Sequence, residues 1–525
     1  MRRSRTILRF VMKGVTFNNS ISYFLISMNN HPNFAPSEWI FEECEFDCPY
    51  AGAFFECFIK FQGSIRVLTF NRCKFTKPLF GTFCQTVLFS RCFYSLETLW
   101  ITDVIFPDDV VSFLIQLFGS DWLTKTQSIR TLAVIDCCLQ VDQLFSQIQD
   151  FKTGIVTFNF SGNTFYCAPI LKSENSLSPQ LNLIFSKCAF ADDALAGLFT
   201  ALSNHKGRSL QLDCCSIYAS ADGWKLFSKI ETTIVLPTLT GLVWDKNPIT
   251  TENVNDFISF LKNQPKLSTL SISDCITNDS SILKSFLLYF RVSSLQSLTI
   301  RSTTKQTVLG PALTPLIEAA MMHSTLKSLD ITGQCIGDFD IIKIIRQMKT
   351  DMETFYFEGN NISTSTEQLI QILEMLLKKN LKTFSWPEND LKKVLLNLPE
   401  PKRIEANMKI NNVKNEYIKK YGNISCNENN SIDITNELNT IMEFNSKIEP
   451  NLEEKNECLM KIGFKHKNTS KELINNVVFR AKDNEIEELM RECGVNGDDD
   501  PIREIYDTLS QEFTIENLKN SLFNH

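Results

Sequence analysis

The side chains with the most chemistry to offer in this 525-residue chain are its 17 cysteines. Thiolates are nucleophiles and zinc ligands, and Cys44 with Cys48, Cys137 with Cys138 and Cys214 with Cys215 stand close together in sequence. A structural zinc site needs one ligand pair followed by a second at a fixed distance, and none of these is followed by a second pair at zinc-site spacing. The five histidines form no HExxH helix, and the chain carries no GxxxxGK[ST] phosphate loop, no GxGxxG and no GxSxG elbow. Asp498-Asp-Asp500 lacks the alternating ligands and central glycine of a calcium loop and reads as a solvated cap. The expectation is a protein with no catalytic residues, no metal, no cofactor and no enzymatic activity.

The cysteines follow a different rule. In Ile129-Arg-Thr-Leu132-Ala-Val134-Ile-Asp-Cys137-Cys-Leu139, apolar residues occupy places 1, 4, 6 and 11 and a cysteine occupies place 9. The same ladder fits fourteen segments, beginning at Ile7, Pro36, Ile65, Leu96, Ile129, Ile155, Gln180, Gly207, Leu239, Leu267, Leu295, Leu326, Met352 and Leu381. Their spacing averages about 29 residues, at the long end of a known repeat class. Cys44, Cys73, Cys137, Cys188, Cys215 and Cys275 all fall on place 9, and Asn163, Asn247, Asn360 and Asn389 share it. A recurring place implies a recurring structural role, so these thiols are expected to be reduced and buried.

The ladder fixes the geometry. Places 4 and 6 lie two apart, so in an extended strand both point into a core, while places 3, 5 and 7 point outward. At place 9 the chain leaves the strand, and a side chain there is needed to satisfy backbone groups that lose their partners. Between ladders, stretches such as Asp109–Phe118 and Glu367–Lys379 repeat apolar residues at intervals of three and four, the pattern of helices packed on the back of the strands. Asp338 and Thr366 are the expected N-caps of two of them.

This pattern resembles the leucine-rich repeat, LxxLxLxx(N/C)xL, in its long, ribonuclease-inhibitor-like form. The resemblance covers residues 7–395 and implies an α/β solenoid, a curved parallel sheet lined by outer helices. It predicts a repeat domain over 1–398 and a helical C-terminal tail over 399–525. In that tail Ile404–Tyr421 and Lys471–Met490 read as helices, and 423–436 as a polar linker. With only six residues before the first ladder, the exposed first edge calls for cover, from another chain or from a longer N-terminus.

Fold class leaves function open. The outward strand face is the expected partner-binding surface, with Trp100, Ile135, Ile184 and Tyr356 as its candidate anchors, because large side chains dominate interface energies. A non-enzymatic, cytoplasmic protein-interaction scaffold follows, with self-association through the tail as a further expectation. A weaker similarity to CARMIL-type actin regulators and to Ran-GTPase-activating proteins implies the alternatives, an actin-cytoskeleton regulator or a regulator of a small GTPase. Nucleic acid is disfavoured as a partner: residues 401–525 hold 23 acidic and 17 basic side chains, leaving 37 against 36 elsewhere, with no basic excess to meet phosphates. No run of eighteen apolar residues exists to span a bilayer.

Overall fold

The computed structural model describes residues 9–30, 34–106, 110–118, 129–148, 155–169, 178–322, 325–360, 365–421 and 476–480. The chain forms two compact units, Met1–Ile184 with Asn436–His525, and Phe185–Thr435. The linker expected over 423–436 and the stretch Asp498–Asp500 lie outside the described residues.

In the first unit, seven parallel strands correspond one to one with the first seven ladders: Arg9–Lys13, Glu38–Glu42, Val67–Asn71, Thr98–Thr102, Thr131–Ile135, Thr157–Asn159 and Gln180–Ile184. Their register aligns place 4 of every repeat, Phe10 to Trp39 to Leu68 to Leu99 to Leu132 to Phe158 to Leu183. A slip of one residue would turn the whole apolar set outward, which is why alternation specifies the faces so strongly. The inward side chains meet helices Asn19–Asn30, Pro49–Cys57, Lys77–Phe89, Val110–Phe118 and Asp142–Ile148. Aromatic rings fill this core. The Trp39 ring lies 4.9 Å from Phe10 and 5.0 Å from Phe58, Phe41 stacks on Phe70 at 5.1 Å, and Phe46 on Phe75 at 4.6 Å. Offset and edge-on rings add to plain area burial, so the first repeats are held mainly by phenylalanine rather than leucine.

In the second unit, the strands Ser209–Asp213, Leu239–Val243, Thr269–Ser271, Ser297–Thr299, Ser328–Asp330, Thr354–Tyr356 and Thr383–Phe384 repeat the arrangement. The aligned place-4 row is Leu212, Leu242, Leu270, Leu298, Leu329, Phe355 and Phe384. Ala194–Leu202 precedes the first of these strands, each strand up to Thr354–Tyr356 is followed by one α-helix, from Ala221–Glu231 through to Thr366–Lys378, and Glu388–Leu396 closes the series. Strand and helix alternating at this period make the fold a leucine-rich repeat solenoid.

Five expectations change. The repeat placed at Gly207 runs two residues later: Leu212 and Cys214 are its inward pair, and Cys215 stands at outward place 7, half-buried. Leu210, Leu212 and Cys214 alternate, so a shift of two keeps the faces and only the backbone pairing reveals it. Asn389 is exposed and donates to Glu358 rather than to the ladder. The caps move one residue upstream. Ser365, extended at φ −157°, accepts the Gln368 N–H at 3.1 Å, and Gly337 precedes helix Asp338–Gln347. Of the helix expected over 471–490, the described part, Asn476–Arg480, is a strand. It pairs in parallel with Arg9–Lys13, so the first edge is met by the chain itself. The expected helix at Ile404–Tyr421 does form, as Glu400–Tyr421, and its buried stripe Ala406, Ile410, Val413 and Tyr417 lies against the last repeat. There the Tyr417 hydroxyl donates to Phe384 O at 2.8 Å.

Place 9 works as the spacing predicts. Cys44, Cys73 and Cys137 direct Sγ to the place-6 carbonyls of the preceding strand, Met12, Phe41 and Ile101, and Cys275 does so to Trp244 at 3.0 Å. The asparagines add an acceptor: Asn247 donates to Cys214 O and Trp244 O and accepts from Ile217 N–H. Gln334 plays the same part between Ile300 O and Leu309 N–H. Cys44, Cys73, Cys137 and Cys275 form no disulfide, and burial pushes the thiol of Cys137 up to about 12 and that of Cys275 well above its usual range.

The turn before place 9 carries a feature with no compositional signature. Place 8 has positive φ in Glu43, Arg72, Asp103, Asp136, Lys187, Lys246 and Asp274, and in Gly333, where an added Cβ would stand 2.1 Å from the Ser302 carbonyl oxygen. A left-handed residue other than glycine costs about 1–2 kcal/mol, partly offset by the greater chain entropy glycine loses on folding. Lys246→Gly, at an exposed place 8, is therefore expected to stabilise by about 0.5–1 kcal/mol. A denaturation midpoint that stays still or falls would reject that conformation for the turn.

Candidate functional site

The outward face follows from parity: places 3, 5 and 7 of each strand. In the first unit it is balanced in charge, with Arg9 beside Glu38 at 2.6 Å and Lys13 beside Glu42 at 3.2 Å across neighbouring strands. Beyond these pairs the face turns apolar. Trp100 packs with Ala133, and Ile135 joins them, so two of the four predicted anchors form one patch. Trp100 is 8% exposed, buried although it points away from the strand-helix core. Ile184 is 3% exposed and stands two strands further on, with Asn159 aligned between it and Ala133. Tyr356 belongs to the other unit and is half-buried.

In the second unit the same parity lays down a polar row. Place 5 runs Asp213, Val243, Ser271, Thr299, Asp330, Tyr356 in consecutive register, and place 7 adds Asp245, Ser273, Arg301 and Glu358. Hydrogen bonds tie these groups into fixed positions. Asp213 accepts from Ser186 Oγ at 2.7 Å and Cys215 N–H at 2.9 Å. Asp245 accepts from Ser271 Oγ at 2.6 Å and Ser273 N–H at 2.7 Å. Arg301 donates through Nε to Asp330 at 2.6 Å, and Asp330 also accepts the Thr332 N–H.

Desolvation dominates their electrostatics, because neighbouring strands displace water from each carboxylate. Burial raises Asp213 above the usual range against its two hydrogen bonds. Burial likewise lifts Asp245 to about 6, opposed by Ser271 and Ser273 and aided by the negative charge of Asp213. Asp330 is raised by burial in spite of Arg301, since losing water outweighs one cation. Burial would raise Asp274 too, but hydrogen bonds from Thr303 and Thr307 hold it below the usual range. The row thus holds four acidic groups, Asp213, Asp245, Asp330 and Glu358, against Arg301. Such a surface stores unfavourable electrostatic energy that a cationic partner would relieve.

Sequence reading missed Asp213, because the two-residue slip put Gln211 at place 5. It also passed over Asp245, which the parity of place 7 would have indicated. Among the described residues no group of three or more metal-ligating side chains forms, and no helix is long and apolar enough to cross a membrane.

The class these features define is a leucine-rich repeat protein with an acidic strand face. No family model matches the chain, and no curated protein matches it. Among solved structures, the yeast complex of Rad7 and Elc1 is similar with a TM-score of 0.35 and 15% identity, over 63% of this chain and 77% of the matched one.

Proposed function

We propose that this protein is a non-enzymatic interaction scaffold, and that the outward strand face of its second unit holds a basic segment of a partner protein. The observation that supports this reading is the row of desolvated carboxylates at places 5 and 7, anchored by serine hydroxyls and backbone N–H groups. Groups fixed before binding lose little freedom on it, and opposite charge steers and registers the partner. The repeat length, with a helix opposite most strands, supports placing the repeats in the ribonuclease-inhibitor-like class.

Selection from a random peptide library against the full chain tests the idea. The expected winners are rich in lysine and arginine, slow hydrogen exchange in Leu239–Asp330, and lose about tenfold in affinity against Asp213→Asn with Asp245→Asn. Neutral or acidic winners, or protection confined to the outer helices, would overturn it.

A further inference from the structure

A second site lies on the other side of the sheet from that face. Helices Ala221–Glu231 and Val254–Lys262 flank the turn that follows Trp244, and together they enclose a cavity of about 250 Å³. Its floor is aromatic. Phe227 stacks against Trp244 with centroids 6.0 Å apart and planes at 21°, and Phe257 lies 5.6 Å from Trp244 at 32°. Trp224, half-buried at the mouth, stands at 79° to Phe227 and 77° to Trp244. The rings form a right-angled corner rather than a filled stack.

Glu231 lines this corner at 4% exposure. No hydrogen bond or ion pair reaches its carboxyl group among the described residues. Lys229, in the same turn, is exposed and makes no ion pair with it. Glu231 ends its helix, where the free carbonyls present partial negative charge, and Asp256 on the facing helix adds its own. The charges that act on Glu231 therefore disfavour its anion. The one other buried polar side chain on the floor, Asn247, is already committed to Cys214 O, Trp244 O and Ile217 N–H.

We propose that this cavity binds an organic ammonium group, its charge opposite Glu231 and its alkyl substituents against the Trp224, Phe227 and Trp244 rings. Two independent attractions converge there: an unpartnered buried carboxyl group, and ring faces whose quadrupoles favour cations, most of all quaternary ammonium. The volume, below the range of cavities that take drug-sized ligands, suits a head group rather than a whole molecule. Burial first and Asp256 second push the carboxyl group up to about 8, so the empty site holds a neutral acid near neutrality. A bound ammonium would draw it back to carboxylate and expel a proton.

The head group could belong to a free small molecule or to a methylated lysine of a protein, so the full chain is titrated with choline and with N-acetyl-trimethyllysine. The neutral carbon isostere of choline, 3,3-dimethylbutan-1-ol, is titrated in parallel. Tryptophan fluorescence and calorimetry in buffers of different ionisation enthalpy read the binding. At least one cation is expected to bind, about tenfold or more tighter than the isostere, with proton release near pH 7, and whichever binds tighter identifies the source. Glu231→Gln, which keeps the shape and neutral state of the acid, should weaken the cation about tenfold and abolish the proton release. Equal binding of choline and its isostere would reduce the site to an apolar crevice. Failure of both cations to bind, or undiminished binding by Glu231→Gln, would overturn the proposal.

Discussion

Asn163→Ala is expected to destabilise the protein by about 3–5 kcal/mol, read from denaturant unfolding of the full chain. Asn163 is 1% exposed and satisfies four backbone groups at once. Its amide donates to Val134 O at 2.7 Å, Phe160 O at 2.9 Å and Ser161 O at 3.1 Å, and its carbonyl accepts the Leu139 N–H at 3.0 Å. Alanine strands Val134 O, Phe160 O and Leu139 N–H beneath the turn, while Ser161 O keeps the Asp136 N–H at 2.8 Å, and a buried donor left without a partner costs about 1–3 kcal/mol by itself. Asn163→Cys should cost less, about 1–3 kcal/mol, because thiols at the same place in sister repeats already serve the place-6 carbonyl. A cysteine cannot accept from Leu139, so rescue should be partial. If Ala and Cys variants unfold alike, place 9 acts through volume alone and the hydrogen-bond account fails.

That comparison also explains what was legible in the sequence. Apolar places 4 and 6 declare the strand faces because a parallel ladder keeps them aligned, as Leu132 opposite Leu99 and Phe158 shows. Position along the strand is declared less well, and Leu210-x-Leu212-x-Cys214 admits two registers with identical faces. Adjacent Ser365 and Thr366 are equally good capping types, and only backbone conformation separates them. The left-handed place 8 is imposed by the ladder rather than by composition, which is why lysine, aspartate, glutamate and arginine all occur there. In the tail, an amphipathic pattern suggested a helix over 471–490, although Val477-Val-Phe479 is a run of strand formers.

The candidate sites were less legible still. Parity correctly sends Trp100 outward but says nothing of how much of that face is covered, and the ring is buried. Glu231 was invisible for a different reason. On a helix wheel it is one acidic residue among several polar ones, and its surroundings come from Trp244 just past a strand and Phe257 on the next helix. Its environment is assembled wholly by the fold.

Glu231 should in consequence make stability depend on pH in an unusual direction. Its folded value of about 8 lies above the ordinary 4.5, so between those limits the native state holds a proton that the unfolded chain has released. Stability is then greatest below about pH 4.5 as far as this group is concerned, falls as pH rises, and levels off above about 8. At 1.36 kcal/mol per pH unit the full loss is at most roughly 5 kcal/mol. Glu231→Gln cannot ionise and should not show it. The buried amide brings an unsatisfied donor costing about 1–3 kcal/mol, so the variant is expected to be slightly weaker than the parent at pH 5 and about 2–4 kcal/mol stronger at pH 9. Urea unfolding of both proteins at the two pH values checks this, and parallel pH profiles would reject it. A bound ammonium shifts the comparison toward the parent. Ligand that binds the native state alone stabilises it by mass action, and it does so best where Glu231 is charged. At pH 9, saturating cation should therefore raise the stability of the parent by at least about 1.4 kcal/mol more than that of Glu231→Gln, the free-energy equivalent of tenfold tighter binding, which separates a carboxyl group that is merely buried from one placed to hold a charge.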